Sequence, residues 1–423
     1  MRLFILALPP LLVSANVVSD AGGTCLNRNL YTISDGLGMF DVALETARGC
    51  ENDIEGTTAI SESSYERESP AVLEKDKRIG ADMGEPQVID GDRTKEILKH
   101  IADTRVYLKE KVMVEPQYEK VRDICMNKHA SCTFWAVIGE CEKNPAYMEL
   151  QCAPACRTCE QLHVETRCPL DVNAVDALYP GDLDKMFERI ITDAGLQQYG
   201  PVVLSRPSYA PGDGPNNATY SIGIWMIQFE KALSEEEADR MIELGGIKGY
   251  ERSKDVGEKQ PDGTYQAYVN TGRTSTNAWC VDSCYTDPVA QALMGRIETI
   301  TGIPETNSEN LQLLRYEESQ FYQTHNDYIN YQIERPCGVR VLTFYVYLND
   351  VEEGGGTDFP RLNMTVMPKK GRAVMWPSVL NMDPNRKDPR SDHQALPVIK
   401  GVKYGANAWI HMRDFKTPNK KGC

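Results

Sequence analysis

The sequence predicts an α+β protein in which a strand-rich domain with a sandwich or jelly-roll core and flanking helices follows a small disulfide-rich module. Three observations carry this. Beyond residue 221, two helix-like stretches are followed by many short apolar runs separated by turn residues. Six cysteines crowd into residues 125–159, and a segment that short buries too little apolar surface to fold without covalent staples. The chain is 423 residues long, which suggests two or three domains rather than one.

Composition sets the outer bounds. The chain is 41% apolar and 25% charged, ordinary values for a globular protein. Lys and Arg total 46 against 61 Asp and Glu, a net charge of -15 that repels phosphate backbones and speaks against nucleic acid as a partner. No apolar run reaches the ~18–20 residues a bilayer span requires.

Residues 1–15 have signal-peptide anatomy: basic Arg2, an apolar Leu3–Val13 stretch and small Ser14-Ala15. An uncleaved signal anchor is the alternative, and the only route to a membrane. Either way the chain is expected in an oxidising lumen, where the sequons at Asn217 and Asn363 would be glycosylated. The Asn419–Cys423 end lacks a Lys/His-Asp-Glu-Leu signal, so endoplasmic reticulum, Golgi or secretion all fit.

Residues 16–91, rich in Glu, Ser, Gly and Asp from Glu51 onward, read as a low-complexity linker. In 92–124, Ile97, Ile101, Val106, Leu108 and Val112 recur at loosely helical spacing, which predicts a helical segment. Within the module, Cys152, Cys156 and Cys159 are spaced like zinc ligands, but the lumenal address favours disulfides, and spacing alone leaves their pairing open. Residues 160–220 read as a connector holding one helix over 182–195. In the last domain, 221–415 with its core at 309–412, Ser234 and Glu237 form a capping box for a helix to about Leu244, and a second helix covers 288–301. Strands are expected at 311–316, 339–348, 364–368, 373–376, 396–399 and 404–410. Cys280 and Cys284 are close enough for a local disulfide, below a segment, 251–278, expected to be a mobile lid. Cys25, Cys50, Cys168, Cys337 and Cys423 remain, an odd number.

The chemistry concentrates in the last domain. On an extended segment His325 and Asp327 point the same way, and His393 follows on a distant strand. Two imidazoles and one carboxylate on one face leave coordination positions open, as in non-haem Fe(II) oxygenases. Lys403 sits on the next apolar strand, and a lysine directed into a barrel needs an anion to meet it. Tyr316 and Tyr322 precede His325, and Thr357 follows the turn Gly354-Gly355-Gly356.

Two resemblances follow from these residues. The spacing Cys125-x6-Cys132, then Gly139-Glu140-Cys141, Asn144-Pro145-x-Tyr147-Met148 and Cys152-x3-Cys156-x2-Cys159, resembles a ShKT domain. That likeness implies the pairings Cys125–Cys159, Cys132–Cys152 and Cys141–Cys156, and a recognition or spacer role. The stretches Arg273-Thr274-Ser275, Tyr316-x5-Tyr322-x2-His325-x-Asp327, Arg340-x2-Thr343-x3-Tyr347, Gly354-Gly355-x-Thr357-x-Phe359-Pro360 and His393-x3-Pro397-Val398-x2-Gly401-x-Lys403-x5-Trp409 resemble the prolyl 4-hydroxylases, a branch of the Fe(II)/2-oxoglutarate dioxygenases.

This second resemblance, over about 222–415, implies a double-stranded β-helix core. It implies Fe(II) on His325, Asp327 and His393, 2-oxoglutarate held by Lys403 with Tyr316 and Thr357, and peptide contacts from Tyr322, Arg340 and Trp409. O2 would be the second cosubstrate and L-ascorbate a helper. The activity so implied is lumenal, procollagen-type hydroxylation of peptidyl-proline on proline-rich secreted chains. The alternatives are a related oxygenase acting on lysine or another side chain, and a non-catalytic ShKT-bearing binding protein. The sequence departs from the family at Ser319, where a glycine is usual, and in carrying the ShKT module upstream.

Overall fold

A computed structural model describes residues 83–89, 92–208, 223–260 and 265–423, together with backbone strands within 18–46. The expected signal peptide, most of the linker stretch, Cys50 and Asn217 lie outside the described residues. Residues 1–68 and 69–423 form two separate units. In the first, Cys25–Asp35 and Gly38–Thr46 pair as an antiparallel hairpin in a region read from sequence as linker.

In the larger unit, helix Thr94–Tyr107 buries Ile97, Ile101, Thr104 and Tyr107. It packs on the ShKT module rather than standing apart from it. The amide of Cys159 donates to the Tyr107 hydroxyl at 3.1 Å, and Tyr107, Val112, Tyr118 and Val121 share a core with Leu150, Ala153 and Leu162. Three disulfides close the module, Cys125–Cys159, Cys132–Cys152 and Cys141–Cys156. A fourth joins Cys168 to Cys423 across 255 residues, a fifth is Cys280–Cys284, and Cys337 is a buried free thiol.

The remainder is a double-stranded β-helix. Its larger sheet has eight antiparallel strands, in the order Pro201–Ser205, Met226–Phe229, Ala373–Pro377, Arg340–Tyr347, Lys403–His411, Gln312–Tyr316, Thr276–Trp279 and Glu251–Arg252. The smaller sheet orders Tyr322–His325, His393–Ala395, Thr357–Phe359 and Met364–Val366. Residue alternation assigns each face of the larger sheet its partner. Phe344, Val346, Met375, Ala406 and Ala408 pack with residues of helices Asp182–Thr192, Glu235–Lys248 and Pro288–Thr301. Leu314, Tyr316, Tyr345, Tyr347, Val374 and Trp376 turn the other way and meet Phe359 and Val366 of the smaller sheet.

The structure moves the expected start of this domain. Leu183, Met186, Phe187 and Ile190, spaced for one helix face, are buried in the main core, and Phe187 stacks on Trp225 at 5.4 Å. Strand Pro201–Ser205 extends the larger sheet, and the Ala177 amide donates to the Met412 carbonyl. Residues 177–205 of the expected connector therefore pack with the β-helix, ahead of the start expected at 221.

Segment 251–278, expected to be a mobile lid, carries regular structure. Asp255–Lys259 pairs with Tyr265–Tyr268, Ser253 Oγ meets Ser275 Oγ at 3.1 Å, and Tyr265 stacks on Tyr331 at 3.7 Å. Glu251–Arg252 also pairs with Thr276–Trp279, so strand pairing supplies backbone partners at both ends of the segment. Among the described residues no helix is long and apolar enough to cross a membrane.

Candidate active site

Two paired strands of the smaller sheet carry the histidines. The register sets His325 directly opposite His393, with ring centres 4.3 Å apart. Asp327 lies just beyond the first strand and faces both: its Oδ1 is 3.8 Å from His325 Nε2 and its Oδ2 is 3.6 Å from His393 Nε2. All three ligand atoms fall within 4.8 Å of one another, the only such group of metal-capable side chains among the described residues.

The surroundings prepare each group for a cation. His325 Nδ1 lies 2.8 Å from the Gln323 carbonyl and His393 Nδ1 lies 3.0 Å from that of Ser391. A carbonyl only accepts, so each Nδ1 carries the proton and each Nε2 lone pair is left for a metal. Burial, with His393 alongside, lowers the His325 pKa to about 3, which keeps the ring neutral. Burial opposes charge on Asp327, yet its carboxyl stays below its usual range, with Arg340 and the Thr343 hydroxyl among the groups that favour the carboxylate. The Thr343 hydroxyl donates to Asp327 Oδ2 at 2.6 Å and fixes its orientation.

Lys403 enters the same interior from strand Lys403–His411, paired in register with Tyr316. It is 1% exposed, and its Nζ lies 5.3 Å from the ring centres of Tyr316 and Tyr345 and 5.5 Å from that of Tyr347. Among the described residues no carboxylate pairs with it, and burial lowers its pKa to about 7. Thr357 is also buried and hydrogen-bonds the Tyr347 hydroxyl at 2.8 Å. Tyr316 is buried with Ser275 at its hydroxyl.

The three residues expected to touch peptide fall into two groups. Tyr322 stacks on His325 at 3.7 Å, and the Arg273 guanidinium lies over its ring at 4.7 Å. Arg340 lies over Trp409 at 3.8 Å, and its Nε donates to Glu309 Oε1 at 2.6 Å. Asn363 occupies an exposed turn.

Sequence reasoning gave no role to several residues that organise this site. Glu309 is buried between Arg340 and His411, 2.8 Å from His411 Nε2. His411 Nδ1 lies 2.8 Å from the Gly338 carbonyl, so both ring nitrogens face acceptors and the ring is an imidazolium. Burial opposes that charge, but hydrogen bonds to Cys337 and Glu309 lift the His411 pKa to about 9. Burial likewise opposes charge on Glu309, but Arg340 and His411 bring it down to about 2. Asn326, between the two ligands of the His-x-Asp pair, donates from Nδ2 to the Asp388 carbonyl, Ser391 Oγ and Asp392 Oδ1 at 3.0–3.1 Å. Arg273 reaches Gln312 Oε1 at 2.9 Å and Asp255 at 3.6 Å. Arg273 stood in a matched stretch as a residue type, which was the one signal available for it.

A His-Asp-His face inside a double-stranded β-helix, with the buried Lys403 in the same interior, marks an Fe(II)/2-oxoglutarate oxygenase. The 2OG-Fe(II) oxygenase superfamily matches residues 311–411, and a ShK domain-like family matches 124–159. Prolyl 4-hydroxylase 2 of Arabidopsis thaliana is 31% identical over 214 residues, covering 44% of this chain and 67% of that protein. Probable prolyl 4-hydroxylase 7 of the same plant is 31% identical over 217 residues, or 46% of this chain and 66% of its own. Prolyl 4-hydroxylase subunit alpha-1 of Rattus norvegicus is 35% identical over 153 residues, covering 34% of this chain and only 28% of the rat subunit. Among solved structures, a viral collagen prolyl hydroxylase from Paramecium bursaria Chlorella virus-1 aligns at 27% identity with a TM-score of 0.35, over 44% of this chain and 95% of its own. Within the oxygenase class, this chain belongs to the prolyl 4-hydroxylase family. It spans about two thirds of the plant relatives and under a third of the rat subunit.

Proposed function

We propose that this protein is a peptidyl-proline 4-hydroxylase of the secretory pathway, acting on proline-rich secreted chains with Fe(II), 2-oxoglutarate and O2, and assisted by L-ascorbate. The observation that carries the reading is the pairing of a preorganised His325-Asp327-His393 face with a buried, anion-free Lys403 in one interior. The donor set suits the ion: two imidazoles with Nε2 facing the site and one carboxylate. The lumenal assignment is supported by the disulfide-bonded module.

His325, Asp327 and His393 would hold Fe(II), which would supply O2 activation coupled to decarboxylation of 2-oxoglutarate to succinate and CO2. Lys403 meets the far carboxylate of 2-oxoglutarate, and Tyr316 and Thr357 line its flank. Phe359, Val366 and Trp376 belong to the buried apolar cluster that includes Tyr316, and would keep water from the bound cosubstrate. Tyr322, Arg340 and Trp409 would hold the peptide with its proline toward the metal site. Glu309 holds the Arg340 guanidinium in position.

Mass spectrometry of proline-rich peptides incubated with protein, Fe(II) and 2-oxoglutarate tests this. The expected result is one added oxygen on proline, dependent on 2-oxoglutarate and lost in His325→Ala, Asp327→Ala and His393→Ala. Oxygen added to lysine-containing peptides instead would replace proline as the substrate, and full activity in any ligand variant would overturn the iron assignment.

A further inference from the structure

Strand Arg340–Tyr347 points three hydroxyls, from Thr343, Tyr345 and Tyr347, into the cavity, since alternate residues share a face. Two are engaged. Thr343 donates to Asp327, and Tyr347 hydrogen-bonds Thr357 at 2.8 Å and the Val366 carbonyl at 3.2 Å. The third, on Tyr345, has no hydrogen-bond partner among the described residues, although the residue is only 6% exposed. Burial raises the phenol well above its ordinary pKa, so it carries its proton and is available as a donor.

The neighbouring strand makes room for it. A Cβ added to Gly405 would lie 2.2 Å from the Tyr345 hydroxyl oxygen, so the phenol tip occupies space open only because residue 405 is glycine. Gly405 is two residues from Lys403 on the same strand, and the Lys403 ammonium is 5.3 Å from the centre of the Tyr345 ring. Buried donors without acceptors are uncommon in folded proteins, because desolvating one without a partner is costly. Here the hydroxyl without a partner among the described residues belongs to a ring that lies beside the Lys403 ammonium.

We propose that Tyr345 donates a hydrogen bond to the distal carboxylate of bound 2-oxoglutarate, beside the ion pair that Lys403 makes with it. The carboxylate has two oxygens to offer, one for each donor. This deepens the functional reading above and rests on it. Tyr345 is thus a binding residue that anchors the cosubstrate at the end away from the metal.

The test is Tyr345→Phe, which removes the hydroxyl and keeps the ring. Fe(II)-loaded, O2-free protein is titrated with 2-oxoglutarate and, separately, with pyruvate, which chelates in the same way but has no distal carboxylate. Binding is read from the metal-to-ligand absorption band, and the melting temperature of the ligand-free protein is recorded. Roughly tenfold weaker 2-oxoglutarate binding is expected, with pyruvate binding unchanged and the ligand-free melting temperature equal or higher. Unchanged 2-oxoglutarate affinity would mean that only an ordered water meets the hydroxyl, and equal weakening of both ligands would mean a general change in the cavity. Either overturns the assignment of Tyr345 alone. Failure of the wild-type protein to bind 2-oxoglutarate would overturn the functional reading itself.

Discussion

At the scale of single residues, Lys403 makes the cosubstrate step pH-dependent. Burial lowers its pKa to about 7, so above that pH the ligand-free protein holds a neutral amine and must take up a proton to pair with a carboxylate. Affinity for 2-oxoglutarate is therefore expected to fall roughly tenfold per unit above about pH 7. Calorimetric titration in buffers of different ionisation enthalpy reads both the affinity and the proton uptake, and a flat profile from pH 7 to 9 would contradict it. Ser319 gives a second residue-level prediction. It adopts φ +68°, the left-handed region that a glycine enters without strain and a β-carbon resists. Ser319→Gly is expected to stabilise the protein by up to about 1 kcal/mol, read as a rise in melting temperature. The family's usual glycine thus has a backbone cause that the sequence alone showed only as a departure.

At the scale of elements, what the sequence made legible were features with local causes. The helix Pro288–Thr301 has the bounds read for it because Asp287 caps one end and Gly302, at φ +73°, stops the other. The capping box at Ser234 and Glu237 is present, but its helix continues to Lys248 past the expected end near Leu244. Gly245 is there as a packing glycine and not as a stop: a Cβ would lie 2.1 Å from the Tyr250 hydroxyl. The His-x-Asp pair was legible for a similar local reason. The role of Asn326 was not, because its partners at 388–392 are 62 to 66 residues away. Those bonds tie the turn that carries Asp327 to the one that delivers His393. Asn326→Ala is expected to weaken Fe(II) binding roughly tenfold with the fold intact, measured by metal titration alongside circular dichroism. Unchanged Fe(II) affinity would show that the two turns are held by other contacts.

At the scale of the whole molecule, the domain boundary matters more than any single contact. Removing residues before Ser221 takes away the strand Pro201–Ser205 and the helix that buries Leu183, Met186, Phe187 and Ile190. Burying side chains of this kind stabilises by about 1.5–3 kcal/mol each, so the loss rivals the ~5–15 kcal/mol that holds a domain folded. A chain starting at Ser221 is expected to melt without a cooperative transition, whereas one starting at Asp171 with Cys423→Ser should retain it. Scanning calorimetry of the two chains decides this, and a cooperative transition in the shorter one would restore the later boundary. The sequence showed that helix but not its partner, since a helix face that packs across 150 residues of chain looks the same as one that packs on its neighbour.

The Cys168–Cys423 bond also places a clock on biosynthesis. At translation rates of roughly 5–20 residues per second, the partner of Cys168 emerges about 13 to 50 s later, since 255 residues must be made in between. For that interval the nascent chain holds an unpaired thiol beside a module whose six cysteines pair with one another. The link can close only after the strand Lys403–His411 has been synthesised, so it marks the chains whose catalytic domain is complete.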